Sequence, residues 1–93
     1  MLFVIYMLDK PEGEELRAEI GKSHAAYMAA NEDGIRMGGP LYADDHKTMI
    51  GSVVIKDFID RSEAEDFISQ EPYNKAGLFE TVLINPFCAF VDK

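Results

Sequence analysis

Seven consecutive apolar residues, Leu2-Phe3-Val4-Ile5-Tyr6-Met7-Leu8, constrain the fold of this chain more than any other feature. The run is too short for a helix and rich in β-branched and aromatic side chains. It therefore predicts a strand, ended by Asp9-Lys10-Pro11. Side chains alternate across a strand, so Phe3, Ile5 and Met7 point one way and Val4, Tyr6 and Leu8 the other. The same two-sidedness recurs later in the chain. Val53 and Ile55 stand opposite Val54 and Phe58, and Val82 and Ile84 stand opposite Phe79 and Leu83. An antiparallel sheet with one face in water would alternate apolar and polar residues instead. These strands predict a sheet with helices on one face and a second copy of the chain on the other, a homodimer packed sheet against sheet.

The intervening segments supply the helices. Pro11 to about Asp33 is helix-prone, with Pro11 suited to a first helical position, acids in the first turns and Gly34 available as a stop. At about 100° per residue, Leu16, Tyr27, Ile20, Asn31 and His24 fall at roughly 0, 20, 40, 60 and 80°, one face of that helix. A second strand spans about Ile35 to Leu41. Its Gly38-Gly39-Pro40 signals a bulge or close approach, and an edge position or strand end. Tyr42 to Thr48 reads as a polar loop, and Ile50 to Phe58 as a third strand. Ser62-Glu63-Ala64-Glu65 matches a capping box, opening a short helix with Ala64, Phe67 and Ile68 on its buried face; this helix ends before Pro72. The last strand runs from Phe79 to about Phe87. The order β-α-β-β-α-β predicts an α+β, ferredoxin-like domain over residues 1–93, with a four-stranded antiparallel sheet and two helices on one face.

Charge and motif content then narrow the function. The net charge of −8 argues against nucleic acid, whose binders carry clustered basic faces. The longest apolar run is too short to span a membrane, and neither a basic segment nor a cleavage-site pattern flanks it. The single cysteine, Cys88, excludes an intrachain disulfide and fits a reducing cytoplasm; beside Phe87 and Phe90, which read as packing residues, it is taken as inert. No phosphate loop, dinucleotide fingerprint, zinc pattern or nucleophile elbow occurs, so no cofactor and no metal is expected. His46, in the acidic loop Asp44-Asp45-His46, reads as part of a solvated turn rather than a metal ligand.

Four features could carry chemistry. His24 lies at the border of the helix face that meets the sheet, where its ring can reach a cleft. Glu71-Pro72-Tyr73 follows the second helix, and Pro72 fixes the backbone that holds a carboxylate and a phenol. Gly39 and Pro40 can bring backbone groups close to a ligand, and Ser52 can offer a hydroxyl. Each has a plainer structural explanation: a half-buried core histidine, a helix stop, sheet curvature, the opening of a strand.

Taken together, and in this order, the features resemble one family, the YCII-related (YciI-like) proteins. The resemblance covers almost the whole chain. It rests on Leu2 to Tyr6, His24, Gly39-Pro40, Gly51-Ser52-Val53-Val54-Ile55, Glu71-Pro72-Tyr73, Ala76 to Glu80, and Asn85-Pro86-Phe87. It implies a dimeric α/β barrel and an active site built from the helix histidine and an aspartate in an Asp-Pro-Tyr turn at the dimer edge. His24 matches the histidine. Glu71 stands at the aspartate position, one methylene longer, and Gly21 stands where many relatives carry an arginine, with Lys22 beside it. Members related to chlorohydroxyquinol dehydrochlorinase, and distant muconolactone isomerase-like proteins of the same fold, act on small ring compounds. The resemblance therefore implies a cofactor-free lyase or isomerase. His24 would be its general acid/base and Glu71 the group that orients it, with Tyr73, Gly39, Pro40 and Ser52 binding a small substrate. The alternative is a binding module for the same kind of molecule, with a degenerate pair.

Overall fold

A computed structural model describes residues 1–93. Strand β1 (Leu2–Asp9) is followed by helix α1 (Glu14–Ala30), strands β2 (Ile35–Tyr42) and β3 (Met49–Asp57), helix α2 (Arg61–Ser69), the single turn α3 (Pro72–Lys75) and strand β4 (Phe79–Pro86). All pairings are antiparallel and the sheet order is β2-β3-β1-β4, the ferredoxin-like α+β arrangement. No helix is long and apolar enough to cross a membrane.

The two faces of β1 behave as its alternation requires. Phe3, Ile5 and Met7 are at most 2% exposed and form the core with Val54, Phe58, Ala64, Phe67 and Ile68. On the opposite face, Tyr6 pairs with Val53 and Leu83, and Val4 with Ile55, which itself faces Met37. No helix packs over that row, and only the C-terminal tail, through Phe87, Ala89 and Val91, reaches its Met37–Ile55 end: Tyr6, Leu83 and Met37 are 37%, 52% and 67% exposed.

Local chemistry moves several boundaries from where the periodicity predicts them. Helix α1 starts at Glu14, not Pro11, because Glu12 adopts a left-handed φ of 63° that a helix cannot contain. Its first cap is Gly13, where a Cβ would stand 2.8 Å from Leu78 Cδ1 and 3.0 Å from the Lys10 carbonyl. It ends at Ala30, with Asn31 as C-cap, ahead of Gly34. The cap of α2 is Asp60, whose side chain accepts from the Glu63 N–H at 3.0 Å, while Glu63 accepts from Ile59 N–H. The cap thus lies two residues before Ser62, since aspartate caps as well as serine, and Glu63 reaches back to the residue ahead of the cap rather than to the cap itself. Phe79 faces the core with Val82 and Ile84, not with Leu83, because the register shifts between Leu8 and Asp9. Phe87 and Phe90 are 39% and 94% exposed, so they are not packing residues within the single chain.

Gly51 marks the closest approach of two strands. A Cβ there would lie 2.2 Å from the Met7 carbonyl oxygen, so any side chain must push β1 and β3 apart. Gly51→Ala is expected to destabilise the fold by roughly 1–3 kcal/mol, the usual range for overpacking. Denaturant unfolding checks this; a midpoint equal to that of the parent would show that the strands yield freely.

Candidate active site

The site is built where α1, α3 and the middle of β3 meet. Glu71 caps α3: its Oε1 accepts the Tyr73 N–H at 3.3 Å, and Pro72 occupies the first helical position, where no N–H is needed. The same oxygen lies 2.7 Å from His24 Nδ1, although the two residues are 47 positions apart. The extra methylene of a glutamate therefore does not prevent contact with the imidazole. In the tautomer that carries its hydrogen on Nδ1, this contact is a hydrogen bond donated by the imidazole to the carboxylate. Nε2 makes no hydrogen bond within the chain and retains access to solvent.

Burial sorts the pair. The Glu71 side chain is 3% exposed and His24 27%, so the carboxylate backs the ring and the ring meets the cleft. Glu71 Oε2 is buried without a partner, an arrangement that costs free energy and is uncommon in folded proteins. Tyr73 stacks on His24 with ring centres 4.2 Å apart and planes 20° apart, fixing the imidazole on a second side. Burial raises the Tyr73 phenol above its ordinary value; Arg17 opposes the shift and Glu71 adds to it, so the group stays a phenol at neutral pH.

A cleft of about 200 Å³ opens beside the ring, lined by His24, Tyr73, Gly39, Pro40 and Ser52, together with Arg17, Met28, Met49 and the Val53-Val54 segment. Five of the six residues singled out in the sequence thus share one cavity, and the sixth, Glu71, stands behind it. Pro40 lies in β2, an edge strand, where a missing N–H is tolerated. His46 and Cys88 lie outside the cleft. His46 is exposed in a turn with φ 63°, whose Asp45 side chain accepts from the Lys47 and Thr48 N–H groups.

Two residues went unrecognised in the sequence. Arg17 is 5% exposed and forms a two-pronged ion pair with Asp9, Nε to Oδ2 at 2.7 Å and Nη2 to Oδ1 at 2.8 Å. Nη2 also donates to Ser52 Oγ at 3.2 Å, and the guanidinium carbon lies 4.5 Å over the Tyr73 ring. Burial works against the Arg17 charge, but the bonds and charge of Asp9 outweigh it, so the group is raised above its ordinary value and stays ionised. A signal existed: on the helical wheel Arg17 falls about 20° from His24, at the same border of the buried face.

Residues 1–88 match the YCII-related domain. The chain belongs to the YCII-related family. Protein YciI of Escherichia coli O6:H1 is 33% identical over 94 residues, covering 94% of this chain and 96% of its own length. An uncharacterized protein of Haemophilus influenzae is 31% identical over the same span. Among solved structures, 5-chloro-2-hydroxyhydroquinone dehydrochlorinase (TftG) from Burkholderia phenoliruptrix AC1100, in complex with 2,5-dihydroxybenzoquinone, matches with a TM-score of 0.88 at 32% identity. The match covers 95% of this chain and 94% of that one. The YCII-related fold is thus common to a dehydrochlorinase of known ligand and to the present chain.

Proposed function

We propose that this protein is a cofactor-free enzyme that removes or relocates a proton on a small hydroxylated ring, by elimination or isomerisation. The observation that carries this reading is the 2.7 Å contact between His24 Nδ1 and a carboxylate buried behind the ring. It orients the imidazole and leaves Nε2 to exchange protons with a ligand in the cleft. The similarity to TftG supports the substrate class. For a chlorinated hydroxyhydroquinone the step balances without a cofactor. His24 delivers a proton to the carbon bearing chlorine while a ring hydroxyl releases one to water, giving a ketone tautomer. Chloride then leaves with the bonding pair as a second hydroxyl proton returns to the base, and the products are a hydroxyquinone and HCl. Chloride release from 5-chloro-2-hydroxyhydroquinone tests the reading. Catalytic release supports it, and binding without release favours a binding module.

The working unit in this proposal is a homodimer formed through the open sheet face. The row of Tyr6, Val53, Ile55 and Leu83 is apolar and no helix covers it, and burying it against an identical row removes it from water. Sedimentation is expected to give about twice the 10.4 kDa of one chain. Leu83→Arg, placing a charge in that row, is expected to shift the protein to monomer; a monomeric parent would contradict the assignment.

A further inference from the structure

Nothing in the fold calls for a glycine at position 21. Gly21 lies in the interior of α1, where a glycine costs stability relative to alanine. A Cβ there would find one atom beyond its own helix within 4 Å, the Tyr73 hydroxyl oxygen at 3.8 Å, which is an ordinary contact. What the missing side chain leaves is room. Gly21 lines a chamber of about 530 Å³ with Ala18, Lys47 and Thr48, and this chamber shares Met49 and Tyr73 with the cleft beside His24. The cleft alone, at about 200 Å³, is smaller than the roughly 300–1,000 Å³ of ordinary ligand pockets, and the chamber brings the combined space into that range.

A second observation comes from the opposite wall. Tyr73 is 5% exposed, yet its hydroxyl donates to nothing in the chain and is not sealed from solvent. Held as a phenol at neutral pH, it is a donor without an acceptor, standing at the gap that Gly21 leaves. Among the charged residues of the chamber, Arg17 is paired with Asp9, and the exposed Lys47 and Glu14 balance each other. The chamber therefore selects by size and by the phenol rather than by charge.

We infer that Gly21 opens the cleft to rings that carry a side arm, and that the Tyr73 hydroxyl donates to a carbonyl oxygen of that arm. The ligand class is a small hydroxylated ring with a short carbonyl-bearing substituent, the ring beside His24 and the arm over the α1 backbone at Gly21. This rests on the reading of the cleft as the substrate site, and not on the proton transfer assigned to His24.

Equilibrium dialysis of the full chain against three neutral probes tests it: hydroquinone, with no arm; 2-propylhydroquinone, with an apolar arm; and methyl 2,5-dihydroxyphenylacetate, whose arm carries an ester carbonyl. The parent is expected to bind both armed rings about ten-fold or more tightly than hydroquinone. Gly21→Leu, which fills the gap, is expected to weaken both by about ten-fold or more while hydroquinone stays within about two-fold. Gly21→Ala, a better helix former, is expected to raise the thermal midpoint and to weaken the armed rings by a smaller factor, and it carries the same comparison should Gly21→Leu not fold. Tyr73→Phe is expected to cost the ester about three- to ten-fold, as for one neutral hydrogen bond, and to spare the propyl ring. A parent without preference for the armed rings, or a loss at Gly21 shared equally by all three probes, overturns the inference, as does a Tyr73→Phe effect that the ester and the propyl ring share. A parent that prefers the armed rings yet releases no chloride upholds the inference and defeats the proton-transfer reading alone.

Discussion

His24→Gln is expected to lower the rate of chloride release from 5-chloro-2-hydroxyhydroquinone by about 10²–10⁴-fold, the range that positioned acid–base catalysis supplies. Glutamine retains a hydrogen-bonding side chain at the mouth of the cleft but cannot exchange protons near neutral pH. The loss should therefore fall on kcat, with affinity for 2,5-dihydroxybenzoquinone changed far less. Glu71→Gln is expected to cost less than His24→Gln, because an acceptor remains 2.7 Å from Nδ1 while the charge that steadies a protonated ring is gone. Steady-state kinetics with both variants separates the roles. If His24→Gln released chloride at the parent rate, the histidine would have no part in the chemistry.

Arg17→Met should have the largest effect on stability. Both partners of the Arg17–Asp9 pair are about 5% exposed, so removing the guanidinium leaves a carboxylate buried with no counter-charge. Breaking a buried pair from one side typically costs about 3–5 kcal/mol. In a chain of this length that corresponds to a fall of roughly 15 °C or more in Tm. The double variant Asp9→Leu with Arg17→Met is expected to recover much of the loss, because no charge is then stranded. Thermal unfolding of the three proteins checks this. A single variant as stable as the parent would mean that water reaches Asp9 and the pair is not closed.

Alternation and helical period carried most of the architecture. Phe3, Ile5 and Met7 read as one face of β1 because a strand has no other way to divide seven apolar residues, and the core lies on that face. Pattern failed where a single backbone angle or cap decided the outcome. The positive φ of Glu12 and the preference of α2 for Asp60 over Ser62 are local choices that periodicity does not register. Phe79 changed sides because a bulge adds one residue to the count, which reverses every parity argument upstream of it. In the site, His24 and Glu71 were legible as an edge histidine and a proline-fixed carboxylate. Arg17 and Asp9 were not, since charged residues are read as solvent-facing until a partner eight positions away is seen to share their burial.

The mechanism turns on which nitrogen of His24 faces the cleft as a base. Long-range ¹⁵N–¹H correlation spectra of histidine-labelled protein, recorded where the imidazole is neutral, read this directly. The predicted spectrum has the His24 proton on Nδ1, toward Glu71, and an unprotonated Nε2. A proton found on Nε2 would leave no base in the cleft and would contradict the mechanism.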